Sequence, residues 1–395
     1  MATTRQRLLI AGGGYADVPL ILAARTLGFH VMTTGNRPED LGHPYADEYH
    51  AADYSDLDAM LSLARSLHID AICACCNDFS ALSAAYVAER LDLPGHDPYA
   101  TCRTIHHKDL YRQFALANGI AAPCAEGFSD ASSAMAAVRQ WPLPVIVKPV
   151  DLTGGKGIAT VHDVEEAEPA VLRALSASRA GRIVIEECLQ GSRHGMSMFL
   201  HDGKVVFFFS DDEYYFKNPY LVSAASAPST VPAAVEKTLC ADAERIASLL
   251  SLKTGIFHLQ YILQGEEPVI IEICRRAPGD LYVKFVEIAA GVPFPAWIVN
   301  ASAGLDCGEL RHAGVKGCFT RHCIMSANPG RIRDIVFDRS IIENIIDKLV
   351  WWKAGDEIGD AMTAKGGIVF LRFDTVEEMV DKTIRMQDLI RVVTR

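Results

Sequence analysis

The chain has 395 residues, half of them hydrophobic, and carries a formal net charge of −11. This length allows two or three domains with sizeable cores. The negative charge argues against nucleic acid or an anionic membrane as the main partner, although a locally basic site could still bind a nucleotide. Every apolar stretch falls short of the ~18–20 residues that a membrane span requires.

The eleven cysteines favour a reducing compartment. Their odd number and the lack of a plausible secretory leader predict free thiols in a cytoplasmic protein. Cys73, Cys75 and Cys76 could bind zinc, but no second ligand pair follows at a recognisable spacing. Residues 71–76 are more typical of a buried strand with small side chains.

The first hundred residues alternate short apolar runs with helical patterns. Strands are predicted at 8–11, 29–33 and 71–76, and helices at 19–28 and 57–67. This alternation predicts a doubly wound α/β domain with a parallel sheet over residues 1–100. The turn at residues 12–14 is rich in glycine and could bind NAD(P), but Asp17 stands where the motif G-x-G-x-x-G has its third glycine.

The remaining chain is predicted to form a second domain over residues 101–304 and a small α+β region over residues 305–395. Helices are expected at 131–140, 164–176 and 235–251, and Pro169 should delay the start of the second of these or kink it. In the last region we expect strands at 316–325 and 367–373 and helices at 341–349 and 376–389.

Residues 258–276 are predicted to form a β-hairpin whose turn is centred on Glu266. This turn places Gln260 opposite Glu272 and His258 opposite Cys274, so these four side chains share one face. The other face should be apolar and suited to a core, and it comprises Phe257, Leu259, Tyr261, Ile271 and Ile273.

The polar face of this hairpin is followed at once by Arg275 and Arg276. Oxygen ligands beside arginines suit a site that holds a cation and polyanionic phosphates. An ordinary half-exposed hairpin with polar residues facing water would show the same pattern.

Two further segments could bind phosphate. Lys148 lies in an apolar strand and needs a partner, for which a phosphate oxygen is one choice, unless its face of the strand is exposed. The loop at 151–157 offers backbone N–H groups of three glycines and the charge of Lys156, although it lacks a Walker A sequence and could be a flexible hairpin tip.

Glu186 and Glu187 end a predicted strand just before Leu189. Backbone N–H and C=O groups that are free at such a strand exit could pair with an adenine ring. Two solvated glutamates at a strand end would give the same sequence.

The order of these signals along the chain resembles the ATP-grasp superfamily. The order is Lys108, Lys148, a glycine loop, Glu-Glu-x-Leu, and then Gln260 followed by Glu-x-x-x-Arg. The resemblance covers about residues 8–300 and is similar in style to carboxylate–amine ligases, the large chain of carbamoyl-phosphate synthetase and biotin carboxylase. It implies a pre-ATP-grasp α/β domain and an ATP-grasp domain of two α+β subdomains.

The resemblance also implies a set of ATP-binding residues. They are Lys108, Lys148, Thr153, Gly154, Gly155, Lys156, Gly157, Glu186, Glu187, Leu189 and His194. The lysines would contact phosphates, the loop would close over them, and the backbone of Glu187 and Leu189 would pair with adenine. Arg193 or His194 stands where the family usually has an acid that binds the ribose.

For the metal and the substrates, the resemblance implies that Gln260 and Glu272 hold Mg²⁺, which Mn²⁺ could replace. Arg276 would neutralise the developing acyl phosphate, and Lys148 would share this catalytic role. Substrate-binding residues would be Arg275, Arg276, Gly279 and Lys284. Cys274 departs from the family, which usually has an Asn there, because a neutral thiol is a poor ligand for Mg²⁺.

The implied function is that of an ATP-dependent, ADP-forming ligase. It would join a carboxylate, from an amino acid or small acid, to an amine through an acyl phosphate, as a cytoplasmic homodimer with only small-molecule substrates. Two alternatives remain: an NAD(P)-dependent oxidoreductase that uses the turn at 12–14, and an inactive nucleotide-binding protein of the same fold.

Overall fold

The computed structural model describes residues 5–395. The strands are β1 (Arg7–Ala11), β2 (His30–Gly35), β3 (Glu48–Ala51), β4 (Ala71–Ala74), β5 (Ala125–Phe128), β6 (Val145–Pro149), β7 (Ala159–Val161), β8 (Ile183–Glu187), β9 (Ser192–His201), β10 (Lys204–Tyr215), β11 (Val222–Ala227), β12 (Gly255–Gln264), β13 (Glu267–Cys274), β14 (Cys318–Ile324), β15 (Gly330–Phe337), β16 (Ile345–Val350), β17 (Glu357–Ile358), β18 (Gly367–Phe373) and β19 (Ile390–Thr394).

The α-helices are α1 (Val18–Thr26), α2 (Leu57–Leu67), α3 (Asp78–Leu91), α4 (Tyr99–His106), α5 (Lys108–Ala117), α6 (Ala131–Val138), α7 (Val164–Ala177), α8 (Ala233–Leu250), α9 (Tyr282–Ala290), α10 (Phe294–Ser302), α11 (Val376–Ile384) and α12 (Met386–Leu389). No helix among residues 5–395 is long and apolar enough to cross a membrane.

Four sheets organise these elements, and they confirm the predicted mixture of α/β and α+β architecture. A parallel sheet in the order β3-β2-β1-β4 forms the N-terminal unit. A small antiparallel sheet has the order β5-β8-β6-β7, and a large one the order β13-β12-β9-β10-β11-β14-β18-β16. The fourth sheet is β17-β15-β19.

The large sheet joins two regions that are separate in the sequence. Its strands β9 to β13 precede residue 304, whereas β14, β16 and β18 follow it. One face packs on α9, α10 and the N-terminal unit through a core that includes Phe199, Phe207 and Trp297. The last region therefore extends the sheet that carries Gln260 and Glu272.

Helix starts follow local capping chemistry. The side chain of Asp163 accepts hydrogen bonds from the backbone N–H groups of Glu165 and Glu166, so α7 begins at Val164 and Pro169 lies inside it. The prediction that Pro169 delays this helix is wrong, because the Asp163 cap already fixes its first turn.

The predicted helix at 341–349 is also wrong. A short 3₁₀ turn at Arg339–Asn344 leads into β16, which pairs with β18. Alternation explains the difference, because along β16 the partly buried Ile345 is followed by the exposed Ile346, a period of two that suits an edge strand.

The predicted hairpin is confirmed in its register. Gln260 lies opposite Glu272, and His258 lies opposite Cys274. The turn itself contains two residues, because Gln264 pairs with Glu267. A bulge then shifts the pairing, so Ile270 replaces Ile271 in the apolar core.

Candidate active site

Strand register places a row of polar side chains across one face of the large sheet. Glu272 on β13 pairs with Gln260 on β12. Gln260 pairs on its other side with Gly195 on β9, and Gly195 pairs with Asp211 on β10. Cross-strand partners share a face, so these residues line up across four strands. A Cβ atom at Gly195 would lie 3.0 Å from a carboxylate oxygen of Asp211, so the glycine makes room for its neighbour.

The same face continues over two more strands. Glu213 on β10 pairs with Ala225 on β11, which pairs with Arg321 on β14. Gly195 and Ala225 are small, so longer side chains on either side can meet above them. The amide Nε2 of Gln260 accordingly reaches Oε1 of Glu213 at 2.6 Å.

Two connected cavities lie on this face. The wide cleft has a volume of about 420 Å³ and runs from the N-terminal unit to β14, and the narrow cleft has a volume of about 80 Å³. Residues at their junction line both cavities, and they are Lys108, Ile158, Tyr220, Gln260 and Glu272. The predicted metal ligands Gln260 and Glu272 therefore lie where the two clefts meet.

The narrow cleft has apolar lining of the kind that suits a flat aromatic base. Its apolar walls are Ile146, Ile158, Leu189, Ile262 and Ile271. The bulge in β13 brings Ile271 here, and Arg193 also lines this cavity. The backbone N–H of Glu187 donates to the carbonyl of Cys124, whereas that of Leu189 has no protein acceptor in the described residues.

Lys148 has a protein partner within the narrow cleft. Its ammonium pairs with Glu186, whose other carboxylate oxygen accepts from Nη2 of Arg112 at 2.9 Å. Burial disfavours the charged form of Glu186, but Lys148 and Arg112 outweigh it and lower the pKa of that carboxyl. Burial also lowers the pKa of Lys148, against the opposing effect of Glu186.

Lys108 begins α5 and lies at the junction. Its Nζ donates to the carbonyl oxygen of Leu152 at 2.9 Å and lies 3.7 Å from Oε1 of Glu272. This lysine therefore links the glycine loop to the predicted metal site.

The glycine loop divides between the cleft and solvent. Thr153, Gly154 and Gly155 line the wide cleft. Lys156 and Gly157 are exposed and line neither cavity. A Cβ at Gly157 would lie 2.7 Å from Pro149, so this glycine serves the turn rather than the cleft.

The residues at the junction fit a magnesium ion. Gln260 and Glu272 supply hard oxygen ligands, and Mg²⁺ usually completes its shell with water and phosphate. Burial raises the pKa of Cys274 to about 11, so its thiol stays protonated and unsuited to this ion. Residues 5–395 contain no cluster of three or more His, Cys, Asp or Glu placed as metal ligands.

Arg276 lines the wide cleft, but its neighbour Arg275 does not. Nε of Arg276 donates to Asp78 at 2.8 Å, whereas Nε of Arg275 donates to Asp97 at 2.8 Å beside a separate small cavity. Different carboxylates hold the two guanidinium groups, so the structure assigns Arg275 to an anchoring contact instead of the predicted substrate contact.

Two other predicted residues lie elsewhere. Lys284 on α9 pairs with Asp347 and lines an outer groove, so it does not reach the wide cleft. His194 points to the face opposite Gly195, where its Nδ1 lies 2.9 Å from Asp212 and its ring stacks on Tyr261. Arg193, rather than His194, lines the narrow cleft. Gly279 does line the wide cleft.

The structure adds several residues to the site that the sequence did not predict. They are Tyr15, Arg112, Glu213, Asp280, Tyr282, Arg321 and Lys365, all of which line a cavity or hold a residue that does. The run 211–213 at the end of an apolar strand was an available signal for Glu213. The others come from distant segments and have no local motif.

The glycine turn at residues 12–14 is packed against its own chain. A Cβ at Gly12 would lie 2.3 Å from Cys75, and one at Gly13 would lie 2.1 Å from the ring of His43. The carboxylate of Asp17 accepts from the backbone N–H groups of Gly14 and Cys76. The turn thus joins strands of the N-terminal unit, which disfavours the NAD(P) alternative.

Comparison with known proteins agrees with this geometry. Residues 106–215 match the family model of phosphoribosylglycinamide synthetase, ATP-grasp (A) domain. A formate-dependent phosphoribosylglycinamide formyltransferase from Burkholderia thailandensis is 30% identical over 199 residues, which cover 48% of each chain. The C-terminal section of a carbamoyl phosphate synthase large chain from Aquifex aeolicus is 24% identical over 207 residues, covering 51% of this chain and 38% of the relative.

The chain spans about half or less of these curated relatives, whereas solved structures match it along its whole length. An L-amino acid ligase from Bacillus licheniformis superposes with a TM-score of 0.80 at 19% identity, covering 100% of both chains. A phosphoribosylglycinamide synthetase from Anaerococcus prevotii gives 0.77 at 20% identity, covering 99% of this chain and 100% of that one. These likenesses show a shared fold. The matched domain supports the predicted resemblance to the ATP-grasp superfamily over residues 106–215.

Proposed function

We propose that the protein is an ATP-dependent, ADP-forming ligase that joins a carboxylate to an amine through an acyl phosphate. The observation that carries this proposal is the position of Gln260 and Glu272 at the junction of a narrow apolar cleft and a wide polar one. A nucleotide base in the narrow cleft would direct its phosphates to these residues. The wide cleft would then hold the two substrates.

The chain's own residues have separate roles in this proposal. Leu189 would offer its free N–H to the base, and Thr153, Gly154 and Gly155 would cover the phosphates. Lys108 would contact the phosphates from the junction. Because it is paired with Glu186, Lys148 would act as one member of a fixed buried charge group rather than as a lone phosphate ligand.

Gln260 and Glu272 would hold Mg²⁺, and Mn²⁺ is proposed as a substitute. The ion, when bound, would neutralise phosphate charge during transfer of the terminal phosphoryl group. Arg276 would stabilise negative charge on the reacting carboxylate, because its guanidinium is held by Asp78 and faces the wide cleft.

The amine would attack the carbonyl carbon of the acyl phosphate directly and displace inorganic phosphate, so no side-chain nucleophile is needed. Cys274 is the thiol of the predicted polar row, and its raised pKa keeps it uncharged. The chemistry would therefore depend on positioning and charge rather than on a covalent enzyme intermediate.

The test is ADP release from ATP and Mg²⁺ with a panel of amino acids and other small acids, each with and without an amine. Release that requires both an acid and an amine supports the ligase. ATP binding without such release across the panel would favour the inactive nucleotide-binding alternative. Tight NADH binding seen by fluorescence would favour the oxidoreductase.

We also propose that the protein acts as a homodimer in a reducing cytoplasm. The outer groove beside α1 presents Leu22, Leu27 and Tyr45, which are each about two-fifths exposed. All eleven cysteines are free. Light scattering after size-exclusion chromatography tests the dimer, and fluorescence microscopy of a tagged chain tests the location.

A further inference from the structure

The wide cleft has a basic end opposite the predicted metal site. Asp280, Arg321 and Lys365 meet there, and all three line the cleft. Nζ of Lys365 lies 2.5 Å from Oδ2 of Asp280, and Nη1 of Arg321 lies 3.5 Å from the same oxygen. Two cations share one carboxylate here, so the charge of Asp280 balances only one of them.

Arg321 has unused hydrogen-bonding capacity. Its side chain is only 3% exposed, yet Nε has no partner. The hydrogen bonds of its guanidinium to the rest of the described chain all involve Nη1. A buried cation with free donors that lines a cleft is arranged for an anion, because the planar fork of arginine matches a carboxylate or a phosphate.

The position of Asp280 is tightly determined. Its second oxygen accepts from the hydroxyl of Tyr15 at 2.7 Å, and the Tyr15 ring stacks on Trp351. Asp280 and Leu281 both have positive φ, at 58° and 57°. Successive non-glycine residues in this conformation are strained and cluster at binding sites, where the surrounding contacts hold them.

Arg321 lies far from the predicted metal site. Glu272 is on β13 and Glu213 is on β10, three strands further along the sheet, whereas Arg321 on β14 lies five strand spacings from Glu272, about 24 Å along a flat sheet. The reacting carboxylate must meet the nucleotide phosphates at the metal end. Arg321 therefore suits an anionic group that does not react.

Building on the ligase function, we propose that Arg321 and Lys365 form a subsite for the acidic group of the acceptor amine. Glu213 lies two strands from Arg321, with only Ala225 between them. When Arg321 binds the acidic group of the acceptor, Glu213 would face the amino group of the same molecule. The acceptor is then an anionic amine, either an amino acid bound through its carboxylate or an amine that bears a phosphate.

The first experiment needs no variant. Kinetics of ADP release are measured with amino acids, with the corresponding amino acid amides, and with O-phosphoethanolamine as acceptors. We expect kcat/KM to be at least about 100-fold lower for an amide than for its acid, because a site built for a charged partner rejects a neutral analogue. Preference for O-phosphoethanolamine would identify phosphate as the bound group, and preference for amino acids would identify carboxylate.

The second experiment replaces the cations. Arg321→Met should lower kcat/KM for the acidic acceptor about 100-fold, with less than about 3-fold change for the amide or in the KM for ATP. Lys365→Met should act in the same direction. Arg372→Met, on the neighbouring strand β18, removes an exposed arginine that stacks on Phe319 and is the matched control.

The outcomes separate this proposal from the ligase function. Amine-dependent ADP release with equal use of acids and amides would overturn the subsite and leave the ligase intact. Equal losses for acid and amide in Arg321→Met would also overturn it. If Arg321→Met fails to fold, Arg321→Lys and the wild-type ratio of acid to amide decide the question.

Discussion

Gln260 and Glu213 meet above an intervening strand, with Nε2 of Gln260 2.6 Å from Oε1 of Glu213. Strand β9 lies between β12 and β10, and it contributes Gly195 at the position opposite Gln260. The hydroxyl of Tyr215 donates to the other oxygen of Glu213 at 2.6 Å. Glu213 thus holds the amide nitrogen of Gln260, and the amide oxygen of Gln260 remains available to a cation.

Replacing Glu213 should weaken magnesium binding. In Glu213→Ala the amide of Gln260 loses its orienting partner, so the Mg²⁺ concentration for half-maximal activity should rise about 10- to 100-fold. Activity titrated with Mg²⁺ at saturating ATP measures this change. The exposed Glu266→Ala in the hairpin turn is the control, and an unaltered Mg²⁺ requirement in Glu213→Ala would contradict the assignment.

Glu272→Gln should abolish turnover while leaving binding of the base mostly intact. The carboxylate is the charged member of the predicted metal pair, whereas the apolar walls of the narrow cleft stay unchanged. We expect more than about 100-fold loss of kcat, with adenosine binding followed by calorimetry. Glu267→Gln on the same strand is exposed and should behave as wild type. Undiminished turnover in Glu272→Gln would rule out this metal site.

Glu186→Gln should destabilise the fold more than Lys148→Met. The first change leaves Lys148 and Arg112 buried without their shared anion, at a cost of about 3–5 kcal/mol. The second leaves Glu186 bonded to Arg112 and should cost about 1–3 kcal/mol. Urea unfolding of both variants gives the comparison.

Lys204, which is exposed and pairs with Glu244 at the surface, supplies the control for this comparison. Replacement of Lys204 by Met should change the free energy of unfolding by less than about 1 kcal/mol. A cost for Lys148→Met equal to or above that of Glu186→Gln would contradict this prediction, because Arg112 alone would then fail to compensate the charge of Glu186.

His258 should make the protein less stable in acid. Burial, with the charges of Arg276 and Arg321, lowers the pKa of His258 to about 3, against 6.5 for a free histidine. The unfolded chain therefore binds a proton that the folded chain does not. The contribution of the neutral His258 to the stability of the fold is fully present above pH 6.5. This contribution is lost as the pH falls towards 3, at up to about 1.4 kcal/mol per pH unit.

Urea midpoints at pH 7.5 and pH 5.0 test this prediction. His258→Asn should reduce the loss of stability between the two pH values, whereas His201→Asn at the exposed end of β9 should not. His322 is equally buried and also has its pKa lowered to about 3, so part of the loss should persist in the variant. An unchanged pH dependence in His258→Asn would refute the assignment.

The hairpin shows where prediction from the sequence succeeded and where it failed. The pairing of Gln260 with Glu272 followed from the turn and from alternation, which are local properties. The bulge at Ile271 did not, because its carbonyl oxygen accepts from Nη2 of Arg112, 159 residues away in the chain. A contact with a distant helix thus decides which isoleucine enters the core and which lines the narrow cleft.

The large sheet likewise carries some site residues that the sequence predicted and others that it did not. The motif residues Lys108, Gln260 and Glu272 could be placed together, because the resemblance orders them along the chain. Arg321 and Lys365 belong to segments predicted only as a strand and its flank, and nothing near them in the sequence indicates a cleft. Their role emerges from β14 joining β11 in one sheet.

By itself, the sequence determined the alternation of elements, the register of the hairpin and the ATP-grasp motifs, because periodicity, capping and turn chemistry act over a few residues. The partner of Lys148, the displacement of Arg275 and Lys284 from the cleft, and the meeting of Gln260 with Glu213 were decided only by the tertiary structure. These depend on which strands become neighbours and on the small side chains between them, and no local pattern encodes either.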